Sequence, residues 1–225
     1  MTSSIYLRFG KRLLDLIAAA LGILLLLPVL GIIGLSVRLT SRGPMLFRQI
    51  RVGQFGVPFE LLKFRSMHAG SEKGSPLTAA GDPRITPFGL WLRRTKIDEL
   101  PQLWNVVRGD MSLIGPRPEV PQYVARYNDR QRGVLTVRPG ITGPEINVHE
   151  EELLADQTNK EQFYFDTLLP AKLETDLTYL REIRFSSDLR ILLQTFNKLL
   201  RKRHEPYKRT GQVSSTTVEA QSSEK

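Results

Sequence analysis

Cysteine is absent from this chain of 225 residues. Its absence excludes disulfides, thiolate metal sites and a cysteine nucleophile, and it fits a reducing compartment. Histidine is scarce: His68, His149 and His204 are too scattered to suggest a His-based transition-metal site. The chain has no zinc-finger spacing, no RNP-type aromatic motif, no heptad basic region and no internal repeat. Acidic residues are in deficit, 23 against 32 Lys and Arg, giving a formal charge of +9 and a pI near 10.0. A chain this basic favours anionic partners. Nucleic acid is the weakest candidate, so an anionic lipid surface and phosphorylated substrates come first. The length allows one good core and a small satellite.

One long apolar run sets the class. Ile17 through Val37 carries no charge, and as an ideal helix it would be roughly 32 Å long, enough to cross a bilayer. It fits a secretory signal peptide poorly, being too long and lacking a small-x-small cleavage site after it. Two other readings stay open. One is a straight transmembrane helix. The other is a re-entrant helix bent at Pro28, whose ring removes the hydrogen bond to the Leu24 carbonyl. Its arms, Leu13–Leu27 and Val29–Thr40, would be roughly 22 Å and roughly 18 Å long, each too short to cross. Arg8, Lys11 and Arg12 precede the run, and Arg38, Arg42, Arg48 and Arg51 follow it. Basic flanks at both ends suit a helix that returns to the side it entered.

The pattern predicts an α+β, mainly helical chain in three parts: a basic lead and membrane helix over 1–42, a folded domain over 43–203 and a disordered tail over 204–225. Met45–Gln49 and Val57–Phe64 read as a hairpin around Gly53-Gln54-Phe55-Gly56. Residues 68–83 read as a loop, and Arg84–Lys96 as a short helix near the membrane surface. Leu100, Leu103, Trp104 and Val107 recur at helical spacing before Gly109, a natural C′ residue. Making Asp98 the N-cap puts Pro101 at N3, where its missing N–H costs little; a capping box from Thr95 would bury Pro101 inside the helix. Met111–Glu119 and residues 138–144 read as loops, with a helix over Tyr123–Arg132 between them. Further helices are expected over Glu150–Asp156, Pro170–Ile183 and Ser187–Arg203, the last suited to an anionic leaflet or to core packing.

The chemistry concentrates at Asp98-Glu99, flanked by Arg93, Arg94, Lys96, Arg108 and Arg117. A helix N-terminus carries about half a positive charge. With guanidiniums nearby, the expectation is an ionised Asp98 with a depressed pKa. Such a group can be a nucleophile or a metal ligand; the plainer alternative is a solvated N-cap. Glu99 adds an oxygen ligand, and an oxygen-only site near phosphate points to Mg²⁺. Lys63, Arg93 and Arg117 are candidate phosphate clamps, and Pro116 and Pro118 fix the backbone around Arg117.

The stretches FRQIRVGQFGVPFELLKFRSM, GDPRITPFGLWLRRTKIDELPQLWNVVRGDMSLIGPRPE and RPGITG resemble the bacterial sugar transferases, the monotopic phosphoglycosyl transferases. The likeness runs from about Lys11 to Arg203. It implies transfer of a sugar phosphate from a nucleotide diphosphate sugar, expected to be a UDP-sugar, to undecaprenyl or another polyprenyl phosphate. The setting implied is the cytoplasmic face of the bacterial inner membrane, where surface polysaccharide or glycoconjugate synthesis begins. By motif, Asp98 is the nucleophile, Glu99 the Mg²⁺-associated carboxylate, and Lys63, Arg93 and Arg117 the substrate-binding cations. Pro28 is the break in a re-entrant helix. Two departures stand out: Leu27 precedes Pro28 where some members have Ser, and Pro144-Glu145-Ile146-Asn147 follows the PGITG loop where many have an aromatic-Gln pair. Membrane lipid is an implied partner, and whether the chain forms a homo-oligomer stays open. The rival readings are a membrane-associated phosphohydrolase using the same carboxylates and a non-enzymatic lipid-binding scaffold.

Overall fold

The computed structural model describes residues 6–71, 74–144 and 150–202. The start of the basic lead, the departure at 145–147, His149 and the expected tail over 204–225 lie outside the described residues. A π-helical turn, Tyr6–Gly10, leads into helix α1, Lys11–Thr40. Two arms divided at Pro28 were the expectation. Instead α1 is one uninterrupted helix with Pro28 inside it. A proline costs a helix one hydrogen bond and a local clash, about 3 kcal/mol, and the apolar turns on either side keep their own bonds.

One stripe of α1 is buried along its length. Asp15, Ala19, Ile33, Gly34 and Val37 face the body of the protein, and the spacing follows the helical repeat. The other faces carry Leu21, Leu24, Leu25, Leu27, Val29 and Ile32, all exposed. Near the N-terminal end, Ala19 packs with Phe59, Leu61, Val106 and Met111. Near the other end, Ile33 and Val37 pack with Phe64 and Leu92. Arg12 donates to the carbonyls of Val106 and Val107 (2.7 and 3.2 Å), and Asp15 accepts from the Leu113 amide at 3.0 Å. Arg65 donates to the carbonyl of Ser41 (2.7 Å), just past the C-terminal end. Both ends of α1 therefore rest on the same body.

The hairpin forms as expected, with longer first arm: β1, Leu46–Val52, runs antiparallel to β2, Pro58–Phe64, with Leu46 opposite Phe64 and Val52 opposite Pro58. Phe55 turns the corner at φ 58°. β2 turns Phe59, Leu61, Leu62 and Phe64 inward and leaves Lys63 half-buried. Burying Leu61 fully contributes about 2 kcal/mol. Helix α2, Pro87–Thr95, is capped by Thr86, whose hydroxyl accepts from the Gly89 amide. Helix α3, Gln102–Arg108, ends at Gly109 with φ 97°.

The stretch 111–119 is more ordered than a loop. Strand β3, Ser112–Ile114, pairs in parallel with β4, Gly140–Thr142. The close approach explains the glycine: a Cβ at Gly140 would lie 2.1 Å from the Gly115 nitrogen. In place of one helix over 123–132, the chain makes a single turn, α4, Pro121–Val124, and a 3₁₀ segment, Gln131–Thr136. Helix α5 covers Glu150–Ala155 and α6 covers Lys160–Phe163. A π-turn over Tyr164–Leu168 then leads into α7, Leu169–Arg181. The expected start at Pro170 therefore lies ten residues into a continuous helical run that begins at Lys160. Helix α8, Phe185–Lys202, closes the described chain. Buried Asp188 accepts from Tyr6 and Tyr179 hydroxyls (2.7 and 2.6 Å) and pairs with Lys11 at 2.5 Å, tying the start of α1 to α7 and α8.

Candidate active site

Asp98 and Glu99 sit in the elbow between α2 and α3, not at the mouth of a helix. Lys96, at φ 57°, ends α2 in a left-handed conformation, and Ile97–Glu99 form one 3₁₀ turn. Pro101, not Asp98, is the residue that caps α3. This corrects the expected register, and with it the helix-dipole argument for Asp98. Thr95 forms no capping box; its hydroxyl bonds back to the carbonyls of Trp91 and Leu92.

Both carboxylates are buried. Glu99 Oε1 accepts from Lys63 Nζ at 2.9 Å and from Arg117 at 3.2 Å. Burial alone would raise its pKa, but Lys63, then Arg117 and Lys96, hold it well below the usual carboxylate range. Asp98 behaves in the opposite way. Burial, reinforced by the neighbouring Glu99 charge, raises its pKa against the pull of Lys63, Lys96 and Arg93. The expected depression thus belongs to Glu99 and not to Asp98. Asp98 Oδ1 is buried and has no hydrogen-bond partner. Lys63 is itself pushed down to about 8, by burial first and by Arg117 next, with Glu99 opposing.

Three helix and strand contacts fix this geometry. Asn105 of α3, fully buried, accepts from the Leu62 amide (3.1 Å) and donates to the Glu60 carbonyl (2.7 Å), zipping α3 to the free edge of β2. That zip sets Lys63 against the elbow. A Cβ at Gly89 would strike the Ser66 carbonyl oxygen at 1.9 Å, so glycine lets α2 pack closely there and brings Arg93 to within 3.4 Å of Ser66 Oγ. Arg117 lies on a loop held from two sides: Arg51 donates to the Pro118 carbonyl at 3.0 Å, and the Gly140 amide donates to the Pro116 carbonyl at 2.9 Å.

The structure brings Lys63, Glu99 and Arg117 together on the wall of a cavity of about 630 Å³. Arg93 lies on the same wall but pairs with Glu151 of α5. Asp98 is not among the cavity-lining residues, and Pro28 is on the exposed side of α1. Sequence reasoning missed a second cluster on this wall. Glu119 accepts from the Tyr164 hydroxyl and from Lys172 (2.5 and 3.4 Å) and pairs with Arg51 at 3.4 Å. Lys172 also reaches Glu150 at 2.8 Å. Burial raises the Glu119 pKa, but Lys172 and Arg51, with the Tyr164 bond, bring it below the usual range. The only hint in the sequence was that Glu119 closes the Pro116-Arg117-Pro118-Glu119 motif.

Among the described residues no three His, Cys, Asp or Glu side chains gather as a metal cluster. Mg²⁺ needs no such cluster, since it binds through one or two carboxylates plus substrate phosphates. The buried Glu99 carboxylate on the cavity wall fits that donor set.

Comparison with known proteins gives a consistent picture. The profile of the family described as bacterial sugar transferase matches residues 6–202. A UDP-glucose:undecaprenyl-phosphate glucose-1-phosphate transferase of Caulobacter vibrioides is 40% identical over 203 residues, covering 84% of this chain and 69% of its own length. A protein of the same description from Escherichia coli is 40% identical over 199 residues, 85% of this chain but only 40% of its own length. An Aeromonas hydrophila UDP-N-acetylgalactosamine-undecaprenyl-phosphate N-acetylgalactosaminephosphotransferase is 38% identical over 205 residues, 89% of this chain and 45% of its own. This chain therefore spans less than half the length of two of these three relatives, and what all three share with it is the segment that carries the elbow and its cavity. The chain belongs to the bacterial sugar transferase family.

Proposed function

We propose that this chain transfers a sugar 1-phosphate from a nucleoside diphosphate sugar to a polyprenyl phosphate, through a covalent intermediate on Asp98. The observation that carries the proposal is the divided dyad. Glu99 is held ionised by two cations, while Asp98 keeps a buried oxygen with no partner. A carboxylate with a raised pKa is, once ionised, a more basic and more nucleophilic oxygen than a solvated one.

The reaction runs in two displacements. An Asp98 oxygen bonds to the phosphorus that bears the sugar, and the bond from that phosphorus to the nucleoside phosphate breaks, releasing a nucleoside monophosphate. A phosphate oxygen of the polyprenyl phosphate then bonds to the same phosphorus. The aspartyl–phosphorus bond breaks, the carboxylate is restored and a polyprenyl diphosphate sugar leaves. Lys63 and Arg117 hold phosphate oxygens and orient the donor. Glu99 is the residue that would hold Mg²⁺, which when bound offsets charge on the diphosphate. Arg93 joins them once it exchanges Glu151 for a phosphate oxygen.

α1 supports a membrane placement. A helix whose two ends rest on one body, and whose remaining faces are apolar and exposed, is suited to enter one leaflet and return. Pro28 then bends an intact helix. The exposed apolar residues of α8, Phe185, Leu189, Leu193 and Phe196, and Trp91 of α2 lie in the lipid interface. The catalytic body faces the cytoplasm of a bacterial cell, where nucleotide sugars are made, and the product begins a surface polysaccharide or glycoconjugate. The relatives' names include glucose, N-acetylgalactosamine and galactosyl transferases, and a UDP-sugar is the donor.

The test is to incubate the protein with labelled UDP-sugar and Mg²⁺, with and without polyprenyl phosphate. Lipid-linked label that depends on polyprenyl phosphate is the expected result. Free sugar phosphate would instead mean a phosphohydrolase, and no turnover a lipid-binding scaffold.

A further inference from the structure

The cavity has a second polar end that the two displacements do not use. Tyr123, on α4, is 2% exposed, lines the cavity, and its hydroxyl has no hydrogen-bond partner. Ser75 on the same wall stands close enough to act on the Tyr123 hydroxyl, but the Ser75 hydroxyl already accepts from the Leu77 amide (3.2 Å) and the pair falls short of hydrogen-bond geometry. A buried hydroxyl left without a partner is a cost that native proteins seldom leave uncompensated.

The orphan hydroxyl is held in place. The Tyr123 ring packs against Tyr164 at 5.2 Å between centroids and edge-on against Phe165 at 4.8 Å. Next to it stands the Glu119, Tyr164 and Lys172 cluster, also on the cavity wall. Tyr164 begins a π-turn, a local widening of the helix that recurs at functional sites. Glu119 is two residues from Arg117, so this end of the cavity adjoins the phosphate-holding end. A nucleoside diphosphate sugar bound by its phosphates at Lys63 and Arg117 would carry a ring rich in hydroxyls on each side of them.

We infer that Tyr123 is a specificity-determining residue that hydrogen-bonds a ring hydroxyl of the donor, in a subsite completed by Glu119, Tyr164 and Lys172. The inference rests on the transferase reading, since that reading supplies the donor. The hydroxyl belongs either to the transferred sugar or to the ribose; the chemistry at Tyr123 is the same for both. A site built to bond a hydroxyl discriminates against the analogue that lacks it, because the protein group is then left buried and unpaired.

The experiment measures dissociation constants by calorimetry for the full chain in detergent, with Mg²⁺. The ligands are UDP-glucose, UDP-N-acetylgalactosamine and deoxy analogues of each lacking one hydroxyl, on the sugar or on the ribose. Tyr123→Phe removes the hydroxyl and keeps the buried ring, so the melting temperature should hold or rise. Wild-type protein should bind one deoxy analogue about tenfold more weakly than its parent, and Tyr123→Phe should bring that ratio close to one. Narrowing for a ribose analogue assigns the hydroxyl to the nucleoside; narrowing for a sugar analogue assigns it to the transferred sugar. If every parent-to-analogue ratio is the same in wild type and Tyr123→Phe, the inference is overturned. Lipid-linked product formed by that wild-type protein would leave the transferase reading standing, whereas donors that neither bind nor turn over would defeat both.

Discussion

Lys63 should make activity and stability move in opposite directions above pH 8. Burial and Arg117 bring its pKa from the usual 10.5 to about 8, a gap of about 2.5 in pH that corresponds to about 3 kcal/mol. The folded protein holds this proton less tightly than the unfolded chain does. Below about pH 8 Lys63 is charged in both states and the folded state bears the full cost. Between about 8 and 10.5 the folded protein sheds the proton first, so this residue's contribution to stability rises with pH. Over the same range Glu99 loses its 2.9 Å cation and the donor loses a phosphate contact. The kcat/KM for UDP-sugar, which reports groups of the free enzyme, should therefore fall about tenfold per pH unit above 8. Lys63→Arg keeps a charge at all accessible pH and should remove that alkaline limb. Lys63→Met should give low activity without the limb. Subtracting its unfolding free energy from that of wild type should give a difference that climbs by up to about 3 kcal/mol between pH 8 and 10. The assays are a pH–rate series and denaturant unfolding in the same detergent. A wild-type profile flat to pH 9.5, or an alkaline limb that survives in Lys63→Arg, would refute the reasoning.

Other consequences are open to direct measurement. Asn105→Ala removes two hydrogen bonds to β2 and leaves the Leu62 amide unpaired, so denaturant unfolding should show a loss of about 2–3 kcal/mol. Gly140→Ala would place a methyl 2.1 Å from the Gly115 nitrogen; the expected result is a lower melting temperature together with a raised KM for donor, because the loop carrying Arg117 is displaced. In the re-entrant reading Pro28 bends α1, and Pro28→Ala, which restores an N–H, would let it straighten. Because the chain has no native cysteine, single cysteines at positions 13 and 39 can be labelled from each side of the membrane. Wild type should label both from one side and Pro28→Ala should label them from opposite sides; unchanged sidedness would remove Pro28 as the cause of the bend.

Long periodic elements were legible in the sequence, and sites built from local backbone choices were not. The apolar run over Ile17–Val37, the hairpin around Gly53–Gly56 and the leucine pattern of α8 all read correctly because period and turn residues are local signals. β3 and β4 did not, since three-residue strands that pair across 28 positions leave no periodic trace. The Asp98-Glu99 pair and the cations Lys63 and Arg117 were legible through their motifs, but not that both cations reach Glu99. The electrostatics of the pair were misjudged because Lys96, a lysine, takes a left-handed conformation usually left to glycine, and so moves the carboxylates out of the helix terminus. Half-buried Arg51 and buried Glu119 and Lys172 were invisible for a related reason. Charged side chains are almost always solvated unless paired, and Glu119 lies 68 positions from Arg51 and 53 from Lys172.

The central claim is that an oxygen of Asp98 becomes bonded to phosphorus during turnover. Rapid quenching with UDP-sugar labelled in the sugar, in the absence of polyprenyl phosphate, followed by proteolysis and mass spectrometry, reads this out. The predicted result is one phosphosugar adduct, on the peptide containing Asp98, that disappears on adding polyprenyl phosphate and never forms in a folded Asp98→Asn variant. Label on another residue, or lipid-linked product formed at an undiminished rate by Asp98→Asn, would contradict the account.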